Sequence, residues 1–155
     1  MAEAARKAEE ERRAEKARRR AEAEKAERAA ATVRDSIPRI EDALAKLDWA
    51  AARTLLVEAE GLAPGHARLS ELRGVLVAET AKRVARADEA AQRREWAAAE
   101  TLLDEAAAVL PGSDPVTAGR ARLEKARRDW EAGRVALERK ADLMIDEGVA
   151  AELLL

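Results

Sequence analysis

The sequence contains no cysteine, no phenylalanine and no tyrosine, and its only histidine is His66. Without cysteine the chain forms no disulfide and offers no thiolate ligand to a metal ion. A single histidine, with no second histidine or cysteine to join it, completes neither a metal ligand set nor a catalytic triad. We therefore interpret His66 as an incidental surface residue, and we predict no catalytic residue, no metal site and no cofactor.

Long apolar runs and a strong net charge are also missing. No apolar run approaches the ~18 residues of a membrane span, and the N-terminus lacks the apolar core of a signal peptide. The formal net charge of −2 selects neither nucleic acid nor an anionic membrane. The basic run Arg18–Arg20 has glutamates around it and no aromatic residue nearby for base stacking. We expect a cytoplasmic protein with no nucleic-acid partner and no membrane insertion.

Charged residues make up 39% of the chain, and alanine, glutamate, arginine and leucine dominate it, a composition typical of helical proteins. Residues 2–31 consist of twelve alanines, eight acidic and ten basic residues. These residues favour a helix but bury little apolar area. We interpret residues 1–32 as a charged helical arm. The (i,i+4) pairs Glu9–Arg13, Glu15–Arg19 and Glu24–Arg28 each stabilise it by ~0.2–0.5 kcal/mol.

The arm changes character at residues 35–38, which read Asp-Ser-Ile-Pro. Ser36 is a residue type that caps helices, and Pro38 is tolerated in a first helical turn. The sequence therefore predicts a break or kink near Asp35–Pro38.

Two later stretches nearly repeat each other: "DWAAARTLLVEAEGLAPG" at Asp48–Gly65 and "EWAAAETLLDEAAAVLPG" at Glu95–Gly112. Six landmarks recur at an offset of 47 residues: Trp49 and Trp96, Leu55 and Leu102, Leu56 and Leu103, Ala59 and Ala106, Pro64 and Pro111, Gly65 and Gly112. A period of 20–50 residues indicates stacked supersecondary units.

Each copy begins with an acidic residue, which complements a helix dipole, and ends in Pro-Gly, which stops a helix. In the first copy Asp48 can also cap the free amide groups. Residues 66–93 contain no proline and one glycine, so they predict one long connecting helix. Its expected buried residues are Leu69, Leu72, Leu76, Val84 and Ala91.

The copies resemble the second helix of the tetratricopeptide repeat, which opens with an acidic–aromatic pair, alternates small and bulky residues and closes with proline. The matching residues are Asp48, Trp49, Ala52, Leu56, Ala59 and Pro64, and then Glu95, Trp96, Ala99, Leu103, Ala106 and Pro111. The resemblance covers roughly residues 33–126 and implies an all-α fold of antiparallel helical hairpins stacked as a short solenoid. We interpret residues 33–155 as one tetratricopeptide-like helical repeat domain. The matched positions of Trp49 and Trp96 at helix–helix contacts favour a core role for both over a ligand-stacking one. The period of 47 is longer than the family's, and the preceding helices lack its large aromatic and glycine.

The C-terminal third allows one long helix over residues 114–146 or a break near Asp129. We favour one helix because apolar residues keep a 3/4 spacing across Asp129, with Ser113 as its cap and Pro115 in its first turn. We expect the helix to stop at residues 146–148, Asp-Glu-Gly, and the last seven residues to begin a third return helix. Leu153, Leu154 and Leu155 then form an unfinished end that we predict to bind a partner.

Tetratricopeptide-like arrays present a groove to peptides or partner helices. The leading hypothesis is therefore a non-enzymatic protein–protein interaction or scaffold module, bound to a protein partner or to itself. One alternative is a structural protein that self-assembles as a coiled coil or helical filament. A second alternative is an accessory segment of a larger bacterial enzyme or signalling protein.

Overall fold

The computed structural model describes residues 2–152 of the chain, with the side chains of residues 6, 7 and 9–144. Those residues form five helices and no strand, so the predicted all-α class is confirmed. The helices are α1 (Ala2–Ala45), α2 (Trp49–Leu62), α3 (Ala67–Gln92), α4 (Trp96–Val109) and α5 (Asp114–Glu152). The single connecting helix predicted over residues 66–93 and the unbroken helix predicted across Asp129 are both present.

The helices form two compact units, and the boundary falls between Leu76 and Val77, inside α3. The first unit contains α1, α2 and the start of α3. Its buried apolar residues are Val33, Ile40 and Ala43 in α1, Ala52, Leu56 and Ala59 in α2, and Leu69, Leu72 and Leu76 in α3. Arg73 of α3 donates to Glu60 of α2 with Nε–Oε1 at 2.7 Å, so a charged bond joins the two helices beside the apolar residues.

The second unit contains the rest of α3 with α4 and α5. Its buried apolar cluster is formed by Val84, Ala87 and Ala90 of α3, Ala99, Leu103 and Ala106 of α4, and Val116 and Leu123 of α5. The members on α3 and α4 are mostly alanines, while Leu103 and Leu123 supply much of the apolar area that this cluster removes from water.

α1 continues through residues 35–38, so the break predicted there is wrong, whereas the alternative of a kink stays a prediction. Pro38 is exposed, and the buried side chains of Val33 and Ile40 flank it. We attribute the continuity of the helix to that packing, which opposes the ~3 kcal/mol cost of an internal proline. Ser36 is not a cap either, since its hydroxyl donates to the carbonyl of Thr32 one turn earlier, at 2.8 Å.

α5 continues to Glu152, so the stop predicted at residues 146–148 is wrong, and Val149–Glu152 extend α5 instead of starting a return helix. A glycine in a helix costs only about 1 kcal/mol relative to alanine, and no proline follows Gly148 to forbid continuation. At the other end Pro115 does lie in the first turn. The Ser113 carbonyl accepts from Thr117, but its buried hydroxyl has no hydrogen-bond partner, so Ser113 makes no side-chain cap.

The turns after α1 and α3 have the same backbone, 47 residues apart. Leu47 has φ 58° and Arg94 has φ 63°, both in the left-handed region. After α1, Leu47 donates to Leu44 at 3.0 Å and Asp48 donates to Ala43 at 2.9 Å. This pair of bonds is the Schellman motif, which usually has glycine at the left-handed residue.

Replacing Leu47 by glycine is expected to raise the free energy of unfolding by about 1 kcal/mol, because glycine adopts positive φ without a Cβ clash. Leu47 is 63% exposed, so little buried area is lost. Urea denaturation followed by circular dichroism measures the change. The control is Ala45→Gly in the last turn of α1, which should be destabilising. A decrease in stability for Leu47→Gly as well would contradict the proposed strain.

Asp48 caps α2 as predicted, since its carboxylate accepts from the amide of Ala51 at 3.0 Å. Its counterpart Glu95 makes no capping bond to α4 and instead accepts from Arg93 at 3.1 Å. That hydrogen bond is the main reason the pKa of the Glu95 carboxyl is lowered.

Replacing Asp48 by alanine is therefore expected to lower the free energy of unfolding by about 1 kcal/mol, the usual worth of an N-cap. The matched variant Glu95→Ala should lose less, because it removes an exposed ion pair and no cap. Thermal unfolding of the two variants beside the parent protein measures both. Equal losses would show that the Asp48 cap contributes nothing.

Candidate interaction surface

The N-terminal half of α5 is anchored to the second unit. Val116 is 4% exposed and Leu123 is 7% exposed. Three arginines of α5 pair with carboxylates of α3 and α4: Arg122 with Asp88 at 2.7 Å, Arg120 with Asp104 at 2.7 Å, and Arg127 with Glu100 at 2.8 Å. Hydrogen bonding to Asp88 raises the pKa of Arg122. These bonds hold α5 in one position along the unit as far as residue 127.

Trp130 lies where α5 leaves the unit. Its ring centroid is 6.3 Å from that of Trp96, the first residue of α4. The guanidinium carbons of Arg94 and Arg134 each lie 5.9 Å from the Trp130 ring centroid, within cation–π distance. Both tryptophans are half-buried. The two rings and two guanidinium groups therefore form a partly exposed cluster of the residue types most often found at interface hot spots.

Beyond Trp130 the helix continues without packing, and every residue from 131 to 144 is exposed. Leu137 is 70% exposed, Leu143 62% and Met144 64%, while the ion pair Arg134–Glu138 at 2.7 Å lies within the helix itself. Fourteen residues correspond to about 20 Å of helix. Large apolar side chains thus lie in water along a stretch of helix whose side-chain bonds are all local.

These exposed residues continue the buried face of α5 at intervals of seven. Large apolar residues recur at Val116, Leu123, Trp130, Leu137 and Met144. Three residues after each of the first four lie Gly119, Ala126, Gly133 and Lys140. In heptad terms these are positions a and d of a coiled coil. We call Trp130, Gly133, Leu137, Lys140 and Met144 the distal stripe.

The residues predicted as the repeat core have clearly different exposures. Ala52, Leu56, Ala59, Ala99, Leu103 and Ala106 are all buried, at 2% exposure or less. Trp49 and Trp96 are half-buried, and Pro64 and Pro111 are exposed in the turns after α2 and α4. The predicted partner-binding residues Leu153, Leu154 and Leu155 lie outside the described residues.

Clusters of metal-binding side chains are not found in the part of the chain that the structure describes. There, no group of three or more histidine, cysteine, aspartate or glutamate residues is arranged to hold a metal ion. Among the same residues, no helix combines the length and the apolar character of a membrane span. His66 is exposed at the edge of a shallow groove beside Val33, Ile37 and Leu62. The rest of the groove is lined mainly by aliphatic side chains, with Arg34 as its one other charged or polar residue.

No family model matches the chain, and no curated protein or solved structure is significantly similar to it. Residues 2–152 form five α-helices with packing between neighbouring helices, an arrangement compatible with a helical repeat.

The distal stripe was not predicted as a surface. Its signal in the sequence is the spacing of apolar residues along residues 116–144, which predicted one continuous helix but no exposed surface. A sequence alone does not tell where the packed part of that helix ends. The cluster of Arg94 with Trp130 had no sequence signal, because the two residues lie 36 positions apart in the chain.

Proposed function

We propose that this chain is a non-enzymatic protein–protein interaction module built on tetratricopeptide-like helical hairpins. The observation that carries the proposal is the distal stripe, where Leu137 and Met144 lie in water on the same helix face that is buried closer to the unit. Burying one such side chain contributes about 1.5–3 kcal/mol. Contiguous exposed apolar residues of this kind mark sites of association.

The tetratricopeptide-like part of the proposal is supported by the repetition of backbone as well as sequence. The left-handed residues Leu47 and Arg94 are 47 residues apart, and so are Gly65 (φ 78°) and Gly112 (φ 66°). Each residue of these two pairs follows a helix in a corresponding turn. The same local structure at the same offset is what a repeated hairpin requires.

A second candidate, self-assembly through a coiled coil, is favoured by the heptad spacing of the distal stripe. The arm does not share it. In α1 the described side chains of residues 9–28 are all exposed, and their ion pairs, such as Arg13 with Glu9 at 2.6 Å, lie within the helix. The proposal therefore places association at α5 rather than at the arm.

Affinity capture from the native source tests the proposed function. The tagged full chain and its Leu137→Glu variant are used as baits, with Val135→Glu as the control. Val135 neighbours Leu137 and is 37% exposed, but it lies off the stripe. We expect a protein retained by the parent and by Val135→Glu and lost by Leu137→Glu. Equal recovery by all three baits would contradict a function at this surface. A fourth bait with Leu153–Leu155 changed to serine locates the contribution of the chain end.

A further inference from the structure

We infer that the distal stripe is the interface for a second copy of this chain, with the two α5 helices antiparallel. The inference deepens the proposed function and rests on it. It starts from three features: the heptad spacing, the exposure of residues 131–144, and the charges beside the stripe. A seven-residue repeat presents a seam that another helix of the same spacing fills with knobs-into-holes packing. The α5 helix of a second copy has the same spacing, because its sequence is the same.

The antiparallel direction follows from Lys140, which occupies a d position. In a parallel in-register pair, Lys140 of each copy faces Lys140 of the other, and two like charges meet in the seam. Reversing one helix removes this conflict. Position a then faces position d, so Lys140 faces Leu137 of the second copy. Its methylene stem can cover that leucine while the ammonium group reaches water.

The same antiparallel register matches residue sizes. When Leu137 faces Lys140 of the second copy, Gly133 faces Met144 of that copy. The two helices run in opposite directions, so four residues back along one correspond to four residues forward along the other. The space above a glycine accepts a long, flexible methionine, and nothing lies within 4 Å of a Cβ built on Gly133. The flanking positions beside these layers hold Ala136, Ala141 and Leu143, which widen the apolar seam without bringing like charges together.

Charge complementarity is found at the ends of the seam. In this register Trp130 faces position 147 of the second copy, where the sequence reads Asp-Glu at 146–147. Arg94 and Arg134 lie over the Trp130 ring. No carboxylate lies within ion-pair distance of Arg94 among the described side chains. An acidic pair arriving at Trp130 therefore meets a guanidinium group not already paired with a carboxylate.

Analytical ultracentrifugation of the full chain across concentrations tests the interface. We expect a monomer–dimer equilibrium whose dissociation constant rises at least about tenfold in Leu137→Glu. The same measurement on Val135→Glu should give less than a twofold change, and circular dichroism should show that both variants remain helical. A monomer at every concentration would overturn the inference. So would a dimer that both variants leave unchanged.

Disulfide cross-linking tests the direction, since the chain has no cysteine of its own. The double variant G133C/M144C should form a covalent dimer on oxidation, because facing Cβ atoms come within disulfide reach. Either single substitution should not, because its own copy lies eleven residues, or about 16 Å, along the seam. Covalent dimers from the single variants would show parallel helices and overturn the antiparallel assignment. The chain could stay monomeric and still capture another protein through Leu137. That combination of results would refute the dimer and leave the proposed function in place.

Discussion

Replacing Leu103 by alanine is expected to lower the free energy of unfolding of the second unit by about 3 kcal/mol. Leu103 is 2% exposed and lies in the apolar cluster between Val84 of α3 and Val116 of α5. The variant loses the transfer free energy of the leucine and leaves a cavity. The alanines around it, including Ala99 and Ala106, are too short to fill that cavity. Chemical denaturation followed by circular dichroism measures the loss.

Val57→Ala provides the control for this prediction, because Val57 is 60% exposed on α2. Its free energy of unfolding should change by less than about 0.5 kcal/mol. Leu56→Ala, at the matching position of the first unit and 1% exposed, should cost about as much as Leu103→Ala. A loss below about 1 kcal/mol for Leu103→Ala would show that the cluster collapses around the vacancy, and it would contradict the tight packing described above.

Replacing Gly119 by leucine is the second large effect, with an expected loss of about 2–3 kcal/mol. A Cβ on Gly119 would come within 2.8 Å of Cδ2 of Leu103 and 3.2 Å of Cγ1 of Val84. The approach to Leu103 is closer than carbon atoms tolerate, and the approach to Val84 requires that side chain to shift by a few tenths of an ångström. Both neighbours are themselves buried. The remaining atoms of a leucine must push α5 away from α3 and α4. The same denaturation experiment measures this loss.

The matched control is Gly74→Leu, the same substitution on a helix at a site where nothing lies within 4 Å of the added Cβ. It should raise the free energy of unfolding by about 0.5–1 kcal/mol, because leucine favours a helix and glycine does not. A gain at both glycines would mean that α5 moves freely, contrary to the ion pairs that anchor it to α3 and α4.

Sequence reasoning predicted the helices well where a turn residue stands at their ends. Pro64-Gly65 and Pro111-Gly112 end α2 and α4 within a few residues of the expected places. In both turns the glycine adopts the positive φ that it tolerates better than other residues. At these positions the turn preference of the residues agrees with the tertiary structure, so the sequence pattern is sufficient to predict where the two helices end.

The errors occurred where packing or helix propensity outweighed a local signal. Pro38 is typical of the start of a helix, yet packing of the buried residues Val33 and Ile40 on either side of it keeps α1 continuous. Gly148 reads as a stop, yet α5 passes through it. A breaker residue lowers the stability of a helix by a few kcal/mol at most. Whether that is decisive depends on contacts that the local sequence does not contain.

The candidate surface was only partly predictable for a related reason. The sequence contained the spacing of Leu137 and Met144, but exposure is a property of the folded unit and depends on where α3 ends and α4 begins. The left-handed turns at Leu47 and Arg94 could not be predicted from the sequence for a different reason, because neither residue type favours positive φ. The two turns are related only by the 47-residue offset of the repeat. That offset predicts the conformation of one turn once the conformation of the other is known.

The boundary between the two units lies inside α3, between Leu76 and Val77, rather than in a loop. Cutting the gene at that point would leave one fragment with a ten-residue helical stub and the other with four unsatisfied amide groups at its start. Limited proteolysis should therefore spare the centre of the chain, since a protease needs a stretch that opens locally. Truncated versions made for crystallisation should keep α3 whole.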